Sequence, residues 1–212
     1  MLELFISAFV TLFVVIDPPG CAPIYAGLTS RASATQARAM AIRATLIASA
    51  ILLVFALFGE ALLSGLHIQL DSFRIAGGIM LFMIAIDMVF EKRTERREQR
   101  AEKIKAKATD EPDEIEDISV FPMALPMIAG PGSIATVMLL MARAEGTEAT
   151  MVILAALAAV MVLCFLALLA AAPLMRLVGA KAEAVVTRLL GVLLAALAAQ
   201  YVIDGLRAVM AS

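Results

Sequence analysis

The sequence predicts an all-α membrane protein with six transmembrane helices, arranged as two inverted three-helix repeats in which spans 1 and 4 are discontinuous. Of its 212 residues, 62% are hydrophobic, whereas soluble domains contain about 45–50%. Six apolar stretches are long enough to cross a bilayer. Two of them, in corresponding positions of the two halves, are interrupted by proline and glycine. Interrupted spans in this arrangement are typical of a transporter's substrate site.

A membrane-spanning helix needs about 20 mostly apolar residues. The stretches that meet this length are about 3–29, 39–59, 70–90, 119–142, 149–172 and 185–207. Between the third and the fourth lies a segment in which 18 of 27 residues are charged. We therefore expect a first three-span repeat at 1–90, a charged cytoplasmic linker at 91–117 and a second, inverted repeat at 118–212. The linker is either a solvated hinge or a segment that binds a partner or acidic lipid headgroups.

The two breaks are Asp17-Pro18-Pro19-Gly20 in span 1 and Gly130-Pro131-Gly132 in span 4. Proline lacks a backbone donor and clashes with the preceding turn, and glycine lacks the side chain that restrains the backbone. A break inside a span leaves N–H and C=O groups unpaired in a medium without water. Such groups are tolerated where they are buried in protein or line a cavity. Each break therefore predicts a place where the backbone meets a ligand.

The two halves also match each other in spacing. Gly20 and Gly132 are 112 residues apart, and the segment 74–77 resembles 188–191 at a separation of 114. A nearly constant separation indicates a duplicated three-span unit. Because three is odd, the second copy enters the membrane from the opposite side, which makes the repeat inverted.

The basic residues predict the orientation. Counting connecting loops alternately, 14 Lys and Arg residues fall on the side of the linker, and the other side has only Arg74, Arg143 and Arg207. An excess of Lys and Arg marks the cytoplasmic side. Both termini are then expected in the periplasm or its equivalent.

Each break ends one half-helix and begins another. The amides 20–22 and 132–134 would start the second half-helices, and a helix N-terminus favours an anion. The carbonyls at 15–16 and 127–129 would end the first half-helices and suit an ammonium group or a cation. Donors and acceptors in one site fit a zwitterion such as a small amino acid.

Three polar side chains are candidates beside this backbone. Asp17 is the carboxylate near the middle of the broken spans, and an ionised carboxylate there needs a partner or a proton. It could bind a substrate ammonium, carry a coupling proton, or only cap the helix that follows. Asp87 is a second candidate for coupling, or it meets water or an arginine. The Ser133 hydroxyl could contact ligand or cap a helix.

Several functions are not expected. The charge is concentrated in one loop, which argues against nucleic-acid binding. Cys21 and Cys164 lie in apolar runs and predict no disulfide. His67 is the single histidine, so a metal cluster is not expected. Ser133 has no histidine in its span, which argues against a hydrolase, and there is no P-loop for nucleotide. We expect no enzyme activity, cofactor or metal.

Two segments resemble the signatures of the MarC family of integral membrane proteins: Asp17-Pro-Pro-Gly-Cys-Ala-Pro-Ile-Tyr25 and Pro122-Met-Ala-Leu-Pro-Met-Ile-Ala-Gly-Pro-Gly-Ser-Ile134. Residues 73–78 resemble the family's third-span pattern. The resemblance covers the chain apart from the charged loop. It implies a six-span protein of the bacterial inner membrane, related to SnatA-type transporters of glycine and alanine and to LysE-like exporters. Many members carry Asn at the position of Cys21, so an amide donor is missing here.

Together these observations favour a secondary transporter, which exports small neutral amino acids and forms a possible homo-oligomer. The alternatives are a passive channel for small solutes and an efflux protein for other small compounds. The candidate substrate-binding residues are those at the two breaks, namely Asp17, Pro19, Gly20, Cys21, Gly130, Gly132, Ser133 and Ile134, with Asp17 and Asp87 as candidates for ion or proton coupling.

Overall fold

The computed structural model describes residues 1–90 and 117–211, without the side chains at 172 and 174–184. The charged linker therefore lies outside the described residues, except for its last residue, Asp117. The helices are α1 (Leu2–Ile16), α2 (Pro18–Leu28), α3 (Ala34–Gly65), α4 (Leu70–Val89), α5 (Pro131–Met141), α6 (Gly146–Leu169) and α7 (Ala171–Ala211). An irregular helical stretch, the proline segment (Ser119–Ile128), precedes α5. Within the described ranges no strand occurs, which confirms the all-α prediction.

The lengths of the helices fit a membrane. In the described ranges five stretches are long and apolar enough to cross a bilayer, or six if the proline segment and α5 count as one span bent by 52°. Helices α1 and α2 together form one such stretch of 27 residues. Each of the predicted spans coincides with one of these stretches. The interruptions predicted in spans 1 and 4 are confirmed as breaks between α1 and α2 and between the proline segment and α5.

One connection differs from the expected pattern. Residues 173–184, which the span assignment leaves between spans 5 and 6, belong to the continuous helix α7. Pro173 does not prevent this because it lies in the first turn, where a missing N–H has no intrahelical partner to lose.

The outer surface of the bundle is apolar. Large side chains such as Leu46, Phe58, Met83 and Leu189 are more than 60% exposed. A surface of this kind would aggregate in water, but lipid tails cover it without cost.

The polar start of α3 connects two parts of the chain. Ser33 and Gln36 form a reciprocal cap, in which each backbone N–H donates to the other's side chain. Ten residues after Ser33, Arg43 forms an ion pair with Asp117, with 2.8 Å between Nη1 and Oδ2. The Ser119 hydroxyl, then its N–H and the charge of Arg43, lower the pKa of the Asp117 carboxyl. A lowered pKa means that this contact holds at neutral pH and weakens as the pH falls through the lowered value.

The packing of the two halves is reciprocal. Helices α1 and α2 pack against α6, and the proline segment and α5 pack against α3. Helix α4 packs along α7, with the largest contact in the bundle among the described residues. Exchanging the first half for the second turns this set of contacts into itself.

Glycines bring α4 and α7 into close contact. A Cβ atom at Gly78 would lie 2.9 Å from the Ala198 carbonyl oxygen, and one at Gly191 would lie 3.1 Å from the Ala85 carbonyl oxygen. Further along, a Cβ at Gly205 would lie 3.0 Å from the carbonyl oxygen of Asp71. Residue numbers rise along one helix as they fall along the other, so α4 and α7 run antiparallel. Small residues permit this approach of two backbones within a membrane.

We expect Gly191→Ala to lower the thermal stability of the purified protein. The added methyl group must push α7 away from α4, and overpacking of this kind costs about 1–3 kcal/mol. The matched control is Gly65→Ala, where the new Cβ meets nothing within 4 Å. Scanning fluorimetry in detergent would compare the two melting temperatures. Equal melting temperatures would contradict the close contact.

Candidate functional site

Asp17 forms the break between α1 and α2. Its backbone adopts the left-handed conformation, with φ 58° and ψ 63°, which aspartate tolerates better than most residues. Its N–H donates to the Phe13 carbonyl at 2.9 Å and ends α1. Its carboxylate then accepts from the Gly20 N–H at 3.1 Å, and its carbonyl accepts from the Cys21 N–H at 3.1 Å. Asp17 therefore caps α2, and it is only 2% exposed.

The first break offers fewer open backbone groups than expected. Pro18 and Pro19 have no N–H, and Asp17 already accepts from Gly20 and Cys21. The expectation of open amides at Gly20 and Cys21 is therefore wrong for this conformation. The Ile16 carbonyl, predicted to be open, accepts from the thiol of Cys21 with an Sγ–O distance of 3.6 Å.

Gly20 is required by the cap. A Cβ atom there would lie 2.2 Å from Oδ2 of Asp17. The carboxylate thus lies directly over Gly20, and any larger residue displaces it. Pro19 is half-buried next to it.

The second break begins in the proline segment. Phe121 and Leu125 have extended backbones, because the residue before a proline is disfavoured in the helical conformation. The remaining hydrogen bonds are wide turns, from the Met123 N–H to the Ile118 carbonyl at 3.2 Å and from the Ala129 N–H to the Ala124 carbonyl at 2.9 Å. The chain then extends at Gly130 before α5 begins at Pro131. A Cβ at Gly130 would lie 2.4 Å from the Pro126 carbonyl oxygen, so the turn needs glycine.

The start of α5 retains open donors. Among the residues that the structure describes, none accepts from the N–H of Gly132 or Ser133, and Gly130 has no side chain to cap them. Both residues are buried, and Ser133 is 3% exposed. The Ile134 N–H, also predicted to be open, donates to the Gly130 carbonyl at 3.0 Å. The two breaks therefore differ: the first is capped by a carboxylate and the second is not.

The helix starts reveal the structural correspondence of the halves. Asp17 precedes α2 as Gly130 precedes α5, Pro18 and Pro131 begin these helices, and both helices have 11 residues. The separation is 113, and the reciprocal glycines Gly78 and Gly191 have the same separation. This value lies between the 112 and 114 that the sequence comparison indicated. Gly20 therefore corresponds to Ser133 rather than to Gly132.

The two breaks approach each other in space. A Cβ at Gly132 would lie 2.3 Å from Cδ1 of Ile84 and 3.6 Å from Cγ1 of Val15. Val15 is two residues before Asp17, so the start of α5 lies against the end of α1, with α4 beside it. Asp87, three residues after Ile84, is half-buried about one turn further along α4. Val15 and Ile84 are site residues that sequence reasoning missed, because nothing distinguishes them from other apolar residues in the spans.

A second polar cluster lies at the other end of α4. Arg143, just after α5, forms an ion pair with Asp204 of α7, with 2.6 Å between Nη2 and Oδ2. Its guanidinium lies 4.4 Å from the ring centre of Tyr201. Arg74 pairs with Asp71 at 2.9 Å. Sequence reasoning used both arginines only to predict orientation. Their spacing from acidic residues in other spans carried no signal.

The sequence profile described as "MarC family integral membrane protein" matches residues 2–210. The chain belongs to this family. It is 35% identical over 206 residues to a UPF0056 membrane protein of Methanocaldococcus jannaschii, and the match covers 97% of each chain. It is 34% identical to the UPF0056 membrane protein YvbG of Bacillus subtilis, with 98% of this chain and 96% of YvbG covered.

The UPF0056 inner membrane protein YhgN of Escherichia coli is also 34% identical, with 95% of both chains covered. No solved structure matches this MarC-family chain. With several long apolar helices and relatives that are membrane proteins throughout, it is a multi-pass integral membrane protein.

Proposed function

We propose that this MarC-family protein is a secondary transporter that exports small neutral amino acids, such as glycine and alanine, across the inner membrane. The observation that carries the proposal is the meeting of two interrupted spans, with Gly132 against Val15 next to the buried carboxylate of Asp17. In transporters, discontinuous helices of two repeats form the substrate site near the middle of the bilayer.

The proposal includes an inverted repeat of two three-span units. Three features support it: the common separation of 113 residues, the reciprocal packing of the halves, and the antiparallel crossing of α4 and α7. If the third span of each half is equivalent, their opposite directions require that one half be inverted.

The chemistry of the breaks fits a zwitterion. The Gly132 and Ser133 N–H groups, at the positive end of the α5 dipole, would hold a carboxylate. The carboxylate of Asp17 would hold the ammonium group or the coupling proton, in exchange for its contact with Gly20. Ile84 and Val15 fill the space in front of Gly132, so only a small substrate side chain fits. Pro19, Cys21, Gly130 and Ile134 shape the backbone around this space.

The polar cluster around Arg143 has a place in this proposal. With both termini outside, the ion pair of Arg143 and Asp204 joins α5 to α7 at the outer end of the bundle. Its release would let the two halves move apart on that side, as alternating access requires. Substrate, protons and lipid are the proposed partners, and enzyme activity is not part of the proposal.

The direct test is reconstitution into liposomes with a panel of radiolabelled amino acids, with and without a pH gradient. We expect saturable flux of glycine and alanine that unlabelled alanine competes and that responds to the gradient. A flux that rises linearly with concentration and shows no competition would favour the alternative, a passive channel. No flux of any neutral amino acid would contradict the proposal.

The orientation has its own test. In cells with a permeabilised outer membrane, an impermeant maleimide should label Met210→Cys and leave Ile104→Cys, in the charged linker, unlabelled. The parent protein is the control, since Cys21 and Cys164 are both buried. The reverse labelling pattern would overturn the predicted orientation, which rests on the basic residues.

A further inference from the structure

A groove lies between α3 and α6, away from the two breaks. It encloses about 370 Å³ and is lined on one side by residues from Ile42 to Leu53 and on the other by residues from Leu154 to Phe165. It opens towards the lipid, since Leu46 and Val162 on its rim are 64% and 56% exposed. Its lining is apolar except for Thr45 and Ser49.

Thr45 has an unsatisfied hydroxyl in this groove. The residue is 8% exposed, and its Oγ1 has no hydrogen-bond partner in the described part of the chain. The hydroxyls of Thr11, Thr29 and Thr136 instead donate to the carbonyl four residues earlier, at 2.7, 2.8 and 2.7 Å. A buried hydroxyl without a partner is unfavourable, so an acceptor oxygen in the groove would satisfy Thr45.

The order of groups along α3 matches that of a phospholipid. Arg38, which is exposed, lies one turn before Ile42 on the same helical face as Thr45, Ser49 and Leu53. Arg43 is the last charged residue of α3 before Glu60, which places Thr45 at the boundary between headgroups and hydrocarbon. From Thr45 to Leu53 the apolar wall extends roughly 12 Å further into the membrane. A basic group, a hydroxyl donor and an apolar groove thus follow in sequence.

We propose that this groove binds one anionic glycerophospholipid. Its phosphate lies beside Arg38, an ester carbonyl accepts from Oγ1 of Thr45, and one acyl chain fills the space between α3 and α6. This proposal does not depend on the transport activity, because it rests on contacts remote from the two breaks.

The test is native mass spectrometry of the purified full-length protein in detergent, titrated with phosphatidylglycerol. Wild type should retain one lipid per chain. Thr45→Val keeps the shape of the side chain and removes the donor, so the apparent affinity should fall about five- to tenfold. The matched control is Thr150→Val, on an exposed part of α6, where the hydroxyl donates to the Gly146 carbonyl at 3.2 Å; it should bind as wild type does.

A second variant fills the groove. Ala158 is an exposed lining residue, so Ala158→Phe should fold normally and lose the lipid. Arg38→Gln should reduce the preference for phosphatidylglycerol over phosphatidylcholine. Unchanged affinity in both Thr45→Val and Ala158→Phe would overturn the proposal. So would a wild type without bound lipid, or an Ala158→Phe variant that changes only from dimer to monomer, which would assign the groove to a second copy of this chain.

Discussion

Gly132→Leu is expected to abolish amino-acid transport while the protein still inserts into the membrane. A Cβ at this position would already lie 2.3 Å from Cδ1 of Ile84 and 3.6 Å from Cγ1 of Val15. Ile84 could move its side-chain end for a methyl group, but a leucine would occupy the space in front of the open N–H groups. Overpacking costs about 1–3 kcal/mol, so we expect a loss of tenfold or more in flux.

Two further variants make this result interpretable. Gly65→Leu introduces the same side chain where nothing lies within 4 Å, and it should transport as wild type does. Gly20→Leu displaces the Asp17 carboxylate from its cap and should also stop transport. Flux in proteoliposomes is the measurement, with the amount of folded protein determined by size-exclusion chromatography. If Gly132→Leu and Gly20→Leu both fold and transport at the wild-type rate, the substrate site lies elsewhere.

Asp17→Asn is expected to reduce transport at least tenfold and to flatten its pH dependence. Asparagine caps helices as well as aspartate does, so its side-chain oxygen can still accept from the Gly20 N–H. The charge that would bind the ammonium group or carry the proton is lost. The stability should therefore change little, whereas the flux should change greatly.

Asp17→Ala separates the cap from the charge. It removes both, so it should transport no better than Asp17→Asn and should lose a further 0.5–2 kcal/mol, about the usual contribution of such a cap. Flux measured from pH 5 to 8 and thermal unfolding in detergent distinguish the two contributions. Wild-type flux with an unchanged pH profile in Asp17→Asn would reduce Asp17 to a structural cap.

The positions of the spans could be predicted because their composition alone decides whether a segment enters the bilayer. The breaks were predictable for the same reason, since proline and glycine interrupt few apolar runs. Their location was predicted three or two residues late, at Gly20 and Gly132 instead of Asp17 and Gly130. Proline is favoured at the first position of a helix, so Pro18 and Pro131 contained the signal for the correct starts.

The contacts across the bundle could not be predicted. The chain contains many isoleucines and valines, and only the fold shows that Ile84 and Val15 cover Gly132. The difference between the breaks depends on which residue caps each helix. Asp17 was recognised as a possible cap, but its effect on the Gly20 and Cys21 amides depends on its left-handed backbone, which follows from the local geometry.

The central claim is that the two breaks form one substrate site that alternates between the two sides of the membrane. Counterflow tests it most directly: proteoliposomes are loaded with a high concentration of unlabelled alanine and diluted into a trace of labelled alanine. A carrier accumulates the label transiently above its equilibrium level, and we predict this overshoot for wild type and its loss in Gly132→Leu. Entry of label that rises to equilibrium without an overshoot, and equally in both proteins, would contradict the claim.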